Sequence, residues 1–158
     1  MRRSLADSLY KHMQTNDRIW VISIDLGYKM WDQIRDEFPD RFLNTGAAEQ
    51  AALGIAVGLS GEGKIPFVYS ATSFLLCRGY ETIRNYINQE NYSVKLIGSG
   101  RDDDYKHDGF SHWSFDAKYI LDGFSNIRQY WPETKEEIPD IVDKMVHNWR
   151  PEFISLRR

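Results

Sequence analysis

Apolar positions recur along this chain at two periods, and their alternation predicts its elements. In "SLADSLYKHM" (Ser4 to Met13) Leu5, Leu9 and Met13 share one helical face, and "RIWVISI" (Arg18 to Ile24) then runs almost continuously apolar, as a buried strand does. The stretch "DLGYKMWDQIRDEFPD" (Asp25 to Asp40) leaves that strand through a glycine-containing loop into a short helix that stops before Pro39. "RFLNT" predicts a short strand, Ala47 to Ser60 a helix, "KIPFVYS" (Lys64 to Ser70) a strand, and "SFLLCRGYETIRNYINQ" (Ser73 to Gln89) one long helix. A strand follows at "YSVKLIGS" (Tyr92 to Ser99). Beyond a polar loop come a helix at "FDAKYIL", a strand at "SNIRQYW", a helix at "KEEIPDIVDKMVHNW" in spite of Pro139, and a closing strand at "EFISL". Short β-rich strands alternating with helices predict the α/β class, as one three-layer domain over residues 1–158 with a mainly parallel sheet flanked by helices.

In open parallel sheets, ligands bind in the loops beyond the carboxyl ends of the strands. Four polar stretches are predicted to fall there: Asp25 to Lys29, Thr45 to Gln50, Ser70 to Phe74, and Gly98 to His112. Any one of them alone could be a solvated loop; together they predict a site.

Composition adds exclusions. With 42% hydrophobic and 14% aromatic residues, the chain has the apolar surface that a core needs. A formal net charge of −3, with no dense Lys/Arg block, argues against nucleic acid and against a membrane surface as partners. No apolar run has the length of a signal peptide or a membrane span, so a cytoplasmic location is expected. The single cysteine, Cys77, excludes an intrachain disulfide and a multi-cysteine metal site, and is expected as a small buried hydrophobe.

Two stretches carry candidate chemistry. Glu49 opens the small-residue run "AAEQAALGIAVGLSG" in the first turn of its helix, where the helix dipole alone favours a carboxylate by up to about 1 kcal/mol. Yet Ala47, Ala51, Gly54 and Gly58 recur at helical spacing, and each interior glycine costs roughly 1 kcal/mol relative to alanine. Such a face predicts a close neighbour, and a carboxyl held among close-packed apolar elements is driven toward holding or sharing a proton. The second stretch, "GSGRDDDYKHDGFSHWSFD" (Gly98 to Asp116), carries Asp102, Asp103, Asp104, His107, Asp108 and His112. Its spacing matches no compact ligand frame, and no metal ligand is assigned. Asp108 and His112, four apart across a glycine, suit hydrogen bonding to a polyhydroxylated or carbonyl substrate; the other reading is a surface loop with incidental histidines.

Taken in order, "FPDRFLNTGAAEQAALGIAVGLSGEGKIPFVYSATSFLLCRGYETIR" and "DGFSHWSFD" resemble the pyrimidine-binding domain of transketolases and of the related deoxyxylulose-phosphate synthases. That family shows P-x-R-F, G-[IA]-A-E-Q, A-x-G-L-A, G-x-x-P, F-L-x-R-A-[FY]-[DE]-Q-I-R and D-G-x-[TS]-H in the same order. The closing "PEFISLRR" is similar to its G-P-x-x-x-x-x-x-R strand, so the likeness covers nearly the whole chain. The resemblance implies the thiamine-diphosphate-binding fold of the pyrimidine type, and a transferase that moves a two-carbon ketol unit between sugars or sugar phosphates. It implies that Glu49 hydrogen-bonds a ring nitrogen of the cofactor's aminopyrimidine, favouring the imino tautomer whose nitrogen removes the thiazolium proton. Asp108 and His112 match positions that contact hydroxyl and carbonyl oxygens of the sugar donor, which makes His112 a second catalytic candidate. Arg158 matches an arginine that binds substrate phosphate, a task suited to its fixed fork of donors. Lys29 lies near the place where transketolases hold that phosphate through a hydroxyl, and is either an anion contact or a solvated surface lysine.

Some positions depart from the pattern. The family stacks an aromatic ring on the pyrimidine from its F-L-x-R segment, whereas "SFLLCRGY" has one residue more between Phe74 and Arg78. Either Phe74 or Leu75 takes that place; Phe74 is favoured, with Tyr80 next. The "RDDDYKH" run is more charged than the pattern and could change which donor is accepted. The G-D-G and downstream Asn that hold Mg2+ and the diphosphate in transketolases are absent, as is their C-terminal domain. The expectation is therefore a split enzyme: this chain binds the pyrimidine, and a separate polypeptide binds the diphosphate and most of the Mg2+ shell, in a heterotetramer. The small-residue helix from Ala47 is expected near that interface. Two other readings are a non-catalytic scaffold or regulatory relative of the same fold, and an unrelated α/β module binding a nucleotide or sugar.

Overall fold

The computed structural model describes residues 1–158. The strands are β1 (Ile19–Ser23), β2 (Phe42–Asn44), β3 (Ile65–Ala71), β4 (Lys95–Ser99), β5 (Arg128–Tyr130) and β6 (Glu152–Leu156). They form one sheet in the order β2-β1-β3-β4-β6-β5, and every neighbouring pair is parallel. Between them run α1 (Arg2–Met13), α2 (Asp32–Glu37), α3 (Glu49–Gly61), α4 (Thr72–Arg78), α5 (Tyr80–Thr82), α6 (Ala117–Asp122) and α7 (Ile138–His147).

The helices cover both faces of the sheet. On one face Leu5, Leu9 and Met13 of α1, Ile34 of α2 and Val142 and Met145 of α7 pack with Ile19, Val21 and Phe67. On the other, Ala52 and Leu53 of α3, Leu75 of α4 and Leu121 of α6 pack with Ile22, Val68, Leu96 and Phe153. Alternate residues of β1 thus enter opposite cores, which is why its sequence reads apolar rather than alternating. At about 1.5–3 kcal/mol for each fully buried aliphatic or aromatic side chain, these two clusters dominate what stabilises the domain.

Three local departures from the sequence reading have physical causes. The long helix expected from Ser73 to Gln89 breaks at Gly79, where a Cβ would run into Leu53 of α3, and continues as α5 and a π-helical stretch over Ile83–Gln89. Pro139 does not interrupt α7, because it sits in the first turn, where its missing N–H has no partner to lose. Cys77, expected inside, is exposed, because it lies on the outward side of α4 while Leu75 and Leu76 fill the core.

The amino end of the sheet is closed by a fully buried ion pair. The Lys95 ammonium donates to the Glu152 carboxylate (3.0 Å) and to the carbonyls of Asn148 and Arg150 (both 2.6 Å). The carboxyl end is where the chain reverses its direction of strand addition, between β1 and β3, and where its loops open a crevice.

Candidate functional site

The four loops expected at the carboxyl ends meet in one cavity of about 380 Å3. Ile24, Asp25 and Leu26 line it from the β1 loop, Ala47 and Glu49 from the β2 loop, and Ser70, Ala71, Phe74 and Arg78 from β3 and α4. Tyr105, Asp108 and His112 close it from the β4 loop.

Glu49 is the first residue of α3 and only 3% exposed. The surroundings differ from the apolar walls expected of it. Arg78 of α4 places one guanidinium nitrogen 2.9 and 3.0 Å from the two carboxylate oxygens, and remains half exposed itself. The same guanidinium lies 3.9 Å over the Phe74 ring, and Phe74 meets the His112 ring edge-on at 4.7 Å. Carboxylate, cation, aromatic face and imidazole therefore follow one another across the cavity. Leu75, the alternative to Phe74, is fully buried in the core, so Phe74 is the aromatic side chain that the "F-L" segment presents here. Asp108 and His112 end two short 3-10 turns joined at Gly109, whose φ of +90° a side chain would strain. Asp108 faces His107 (3.2 Å), and Ser111 Oγ lies 3.1 Å from His112 Nδ1.

Not every expected residue joins this group. Tyr80 packs its ring on Phe124 at 5.5 Å and lines a different cavity, with Arg84 and Asn88, apart from Glu49 and Phe74. Lys29 and Arg158 come together in a neighbouring cavity of about 390 Å3, joined there by Arg2 and Arg3 and by no acidic residue. The loop that carries Lys29 has two non-glycine residues, Asp25 and Lys29, at positive φ, a local strain typical of functional loops. Arg2, Arg3, Arg78 and Tyr105 escaped the sequence reading. Only Arg78 left a signal there, four residues after Phe74 on one helical face.

The whole chain, residues 1–158, matches the family model described as transketolase, pyrimidine binding domain. It belongs to that family. Among curated proteins, one subunit of the apulose-4-phosphate transketolase of Actinobacillus succinogenes is 34% identical over 120 residues, covering 76% of this chain and 39% of that protein. A 6-deoxy-6-sulfo-D-fructose transketolase subunit from a Clostridium species is 26% identical, and all of this chain covers 49% of it. The chain thus spans half or less of the length of such relatives. A split-gene transketolase solved as an inactive beta4 tetramer superposes with a TM-score of 0.87 at 30% identity, over 99% of this chain and 51% of that one. The transketolase of Campylobacter jejuni shares the fold, with a TM-score of 0.88 at 16% identity over 99% of this chain and 25% of its own. The all-parallel, helix-flanked sheet is accordingly the transketolase pyrimidine-domain fold. No helix of the chain is long and apolar enough to cross a membrane.

Proposed function

We propose that this chain supplies the pyrimidine half of a thiamine diphosphate site in a transketolase-like enzyme of carbohydrate metabolism. The enzyme transfers a two-carbon ketol unit between sugars that carry an anionic end. The observation that carries the reading is the cavity in which a nearly dry Glu49 faces Phe74, Asp108 and His112. These residues fit the aminopyrimidine end of the cofactor: a buried carboxyl to hydrogen-bond a ring nitrogen, and an aromatic face to stack on. When bound, thiamine diphosphate supplies the carbanion-type reactivity that breaks and forms carbon–carbon bonds beside a carbonyl.

The chain's own side chains supply geometry and proton control. Glu49 exchanges a proton at its carboxyl, and Arg78 balances its charge while the cavity is open to water. Asp108 and His112 orient the hydroxyl and carbonyl oxygens of the donor. Arg158 and Lys29, with Arg2 and Arg3, hold its anionic end. The names of two relatives support this last point, since one substrate ends in a phosphate and the other in a sulfonate.

On this reading the diphosphate and Mg2+ are bound by a separate polypeptide, in a heterotetramer, which is supported by relatives named as transketolase subunits and by the fold shared with a split-gene transketolase. Calorimetry of thiamine diphosphate with Mg2+ tests the reading. Binding is expected only when this chain is mixed with the diphosphate-binding polypeptide, and is lost in Glu49→Ala. Equal binding by the Glu49→Ala mixture would sink the assignment.

A further inference from the structure

We propose that Tyr105 is a specificity-determining positioning residue, whose ring carries Arg158 and so fixes where the anionic end of the substrate is held. The proposal rests on the transketolase-like reading above. Tyr105 is buried in a loop whose next six residues, Lys106 to Ser111, are exposed. Its ring lines the cavity that holds Glu49, Asp108 and His112. The Arg158 guanidinium carbon lies 5.2 Å from the centre of that same ring, and Arg158 lines the cationic cavity with Arg2, Arg3 and Lys29. Tyr105 therefore lines the first cavity and touches the second through Arg158.

The position of the ring is over-determined. Tyr69 donates to Ser99 Oγ at 3.1 Å, and Ser99 Oγ lies 2.9 Å from the Tyr105 hydroxyl, so a buried hydroxyl chain anchors the ring tip. Gly100 makes room for the ring: at its φ of +83° a Cβ would run into the Tyr105 side chain. The Gly100 carbonyl is in turn clamped, accepting from Thr72 Oγ1 at 2.6 Å and Ser114 Oγ at 3.2 Å. Arg158, by contrast, makes no side-chain salt bridge. Its guanidinium lies 3.1 Å from His107 Nε2 and over the Tyr105 ring, while its backbone N–H donates to Asp104 (3.0 Å). A free guanidinium held on a fixed aromatic face is pre-organised for a tetrahedral oxyanion, and the face determines how far that oxyanion stands from Glu49 and His112.

The first arm of the test uses this chain alone, titrated with inorganic phosphate and with sulfate while the arginine side-chain NMR signals are followed. Y105F keeps the ring and should bind within about twofold of the native chain, whereas Y105M keeps the volume but loses the face and should bind roughly fivefold more weakly. R158Q should weaken binding by about tenfold, and Y105M/R158Q no further, because Tyr105 acts through Arg158. Undiminished binding in Y105M, additive losses in the double variant, or no phosphate or sulfate binding by the native chain would each overturn the proposal. Y105L, which likewise has no aromatic face, serves the same comparison if Y105M does not fold.

The second arm uses the mixture with the diphosphate-binding polypeptide and a pair of ketose donors with and without a terminal phosphate. Y105M should raise KM for the phosphorylated donor about fivefold more than it raises KM for the other donor. Equal losses on both donors would make Tyr105 merely structural and overturn the proposal. If the native mixture transfers no ketol unit while the first arm behaves as expected, the functional reading fails and the Tyr105–Arg158 anion site stands.

Discussion

At Glu49 the sequence and the structure agree on the place and differ on the company. A carboxylate at the start of a small-residue helix is a local feature, legible in the chain; its counter-charge is not, because Arg78 reaches it only through the approach of α4 to α3. The pairing bears on how a substitution should behave. Because Arg78 is half exposed, Glu49→Gln should cost at most about 1 kcal/mol of stability, a melting shift of a few degrees. In the reconstituted enzyme it should lower kcat by roughly 10²–10⁴-fold. On the proposed reading His112 contacts the donor instead, so His112→Ala should lower kcat/KM by roughly 10²-fold and leave thiamine diphosphate affinity within about threefold. Steady-state kinetics beside cofactor calorimetry separates the two effects, and a loss of cofactor binding in His112→Ala would give that residue another role.

Elements obey their local signals until a neighbour intrudes. The "KEEIPDIVDKMVHNW" stretch is helical through Pro139 because Thr134 and Glu137 form a capping box one turn earlier. The N–H groups of Thr134 and Glu133 hold the Glu137 carboxyl below the usual carboxylate range. A lowered folded value means that this stabilisation is complete above the ordinary glutamate pKa and disappears as pH falls through the folded one. Glu137→Gln should therefore lower the melting temperature at pH 7 but narrow its gap to the native chain toward pH 3; a constant gap would deny the linkage.

The buried Lys95–Glu152 pair gives a pH slope of the same sign, in the alkaline range. Burial pushes the Lys95 ammonium below the usual lysine range, with Glu152 opposing, so the unfolded chain binds more protons between the two values and stability rises with pH across that window. Lys95→Met should lose this rise in urea unfolding as pH approaches the ordinary lysine value from below, and Glu152→Gln, which strands the ammonium, should cost about 3–5 kcal/mol. A Glu152→Gln chain as stable as the native one would show that the two carbonyls alone satisfy Lys95.

On the scale of the whole molecule, the small-residue face of α3 remains without a neighbour. Ala51, Gly54 and Gly58, and Ala47 just before the helix, are exposed, and a Cβ on Gly54 or Gly58 would meet nothing within 4 Å. The close approach that these glycines imply is not made inside this chain. Gly54→Leu should accordingly stabilise the isolated chain by up to roughly 1 kcal/mol through helix propensity. It should also weaken association with the diphosphate-binding polypeptide at least about tenfold, as analytical ultracentrifugation would show; unchanged association would move the interface elsewhere.

The alternation of strands and helices, the all-round burial of β1, and the ordered motifs around Glu49, Asp108 and His112 were determined by the sequence alone, because periodicity and motif spacing are properties of neighbouring residues. Tertiary structure alone decided that Phe74 rather than Leu75 lines the cavity, that Tyr80 lies elsewhere, and that Gly79 breaks its helix against Leu53. It also decided that Arg2 and Arg3 meet Lys29 and Arg158. The parallel sheet brings residues from opposite ends of the chain to one edge, and which charges meet there depends on the order of the strands, a long-range property that no local pattern encodes.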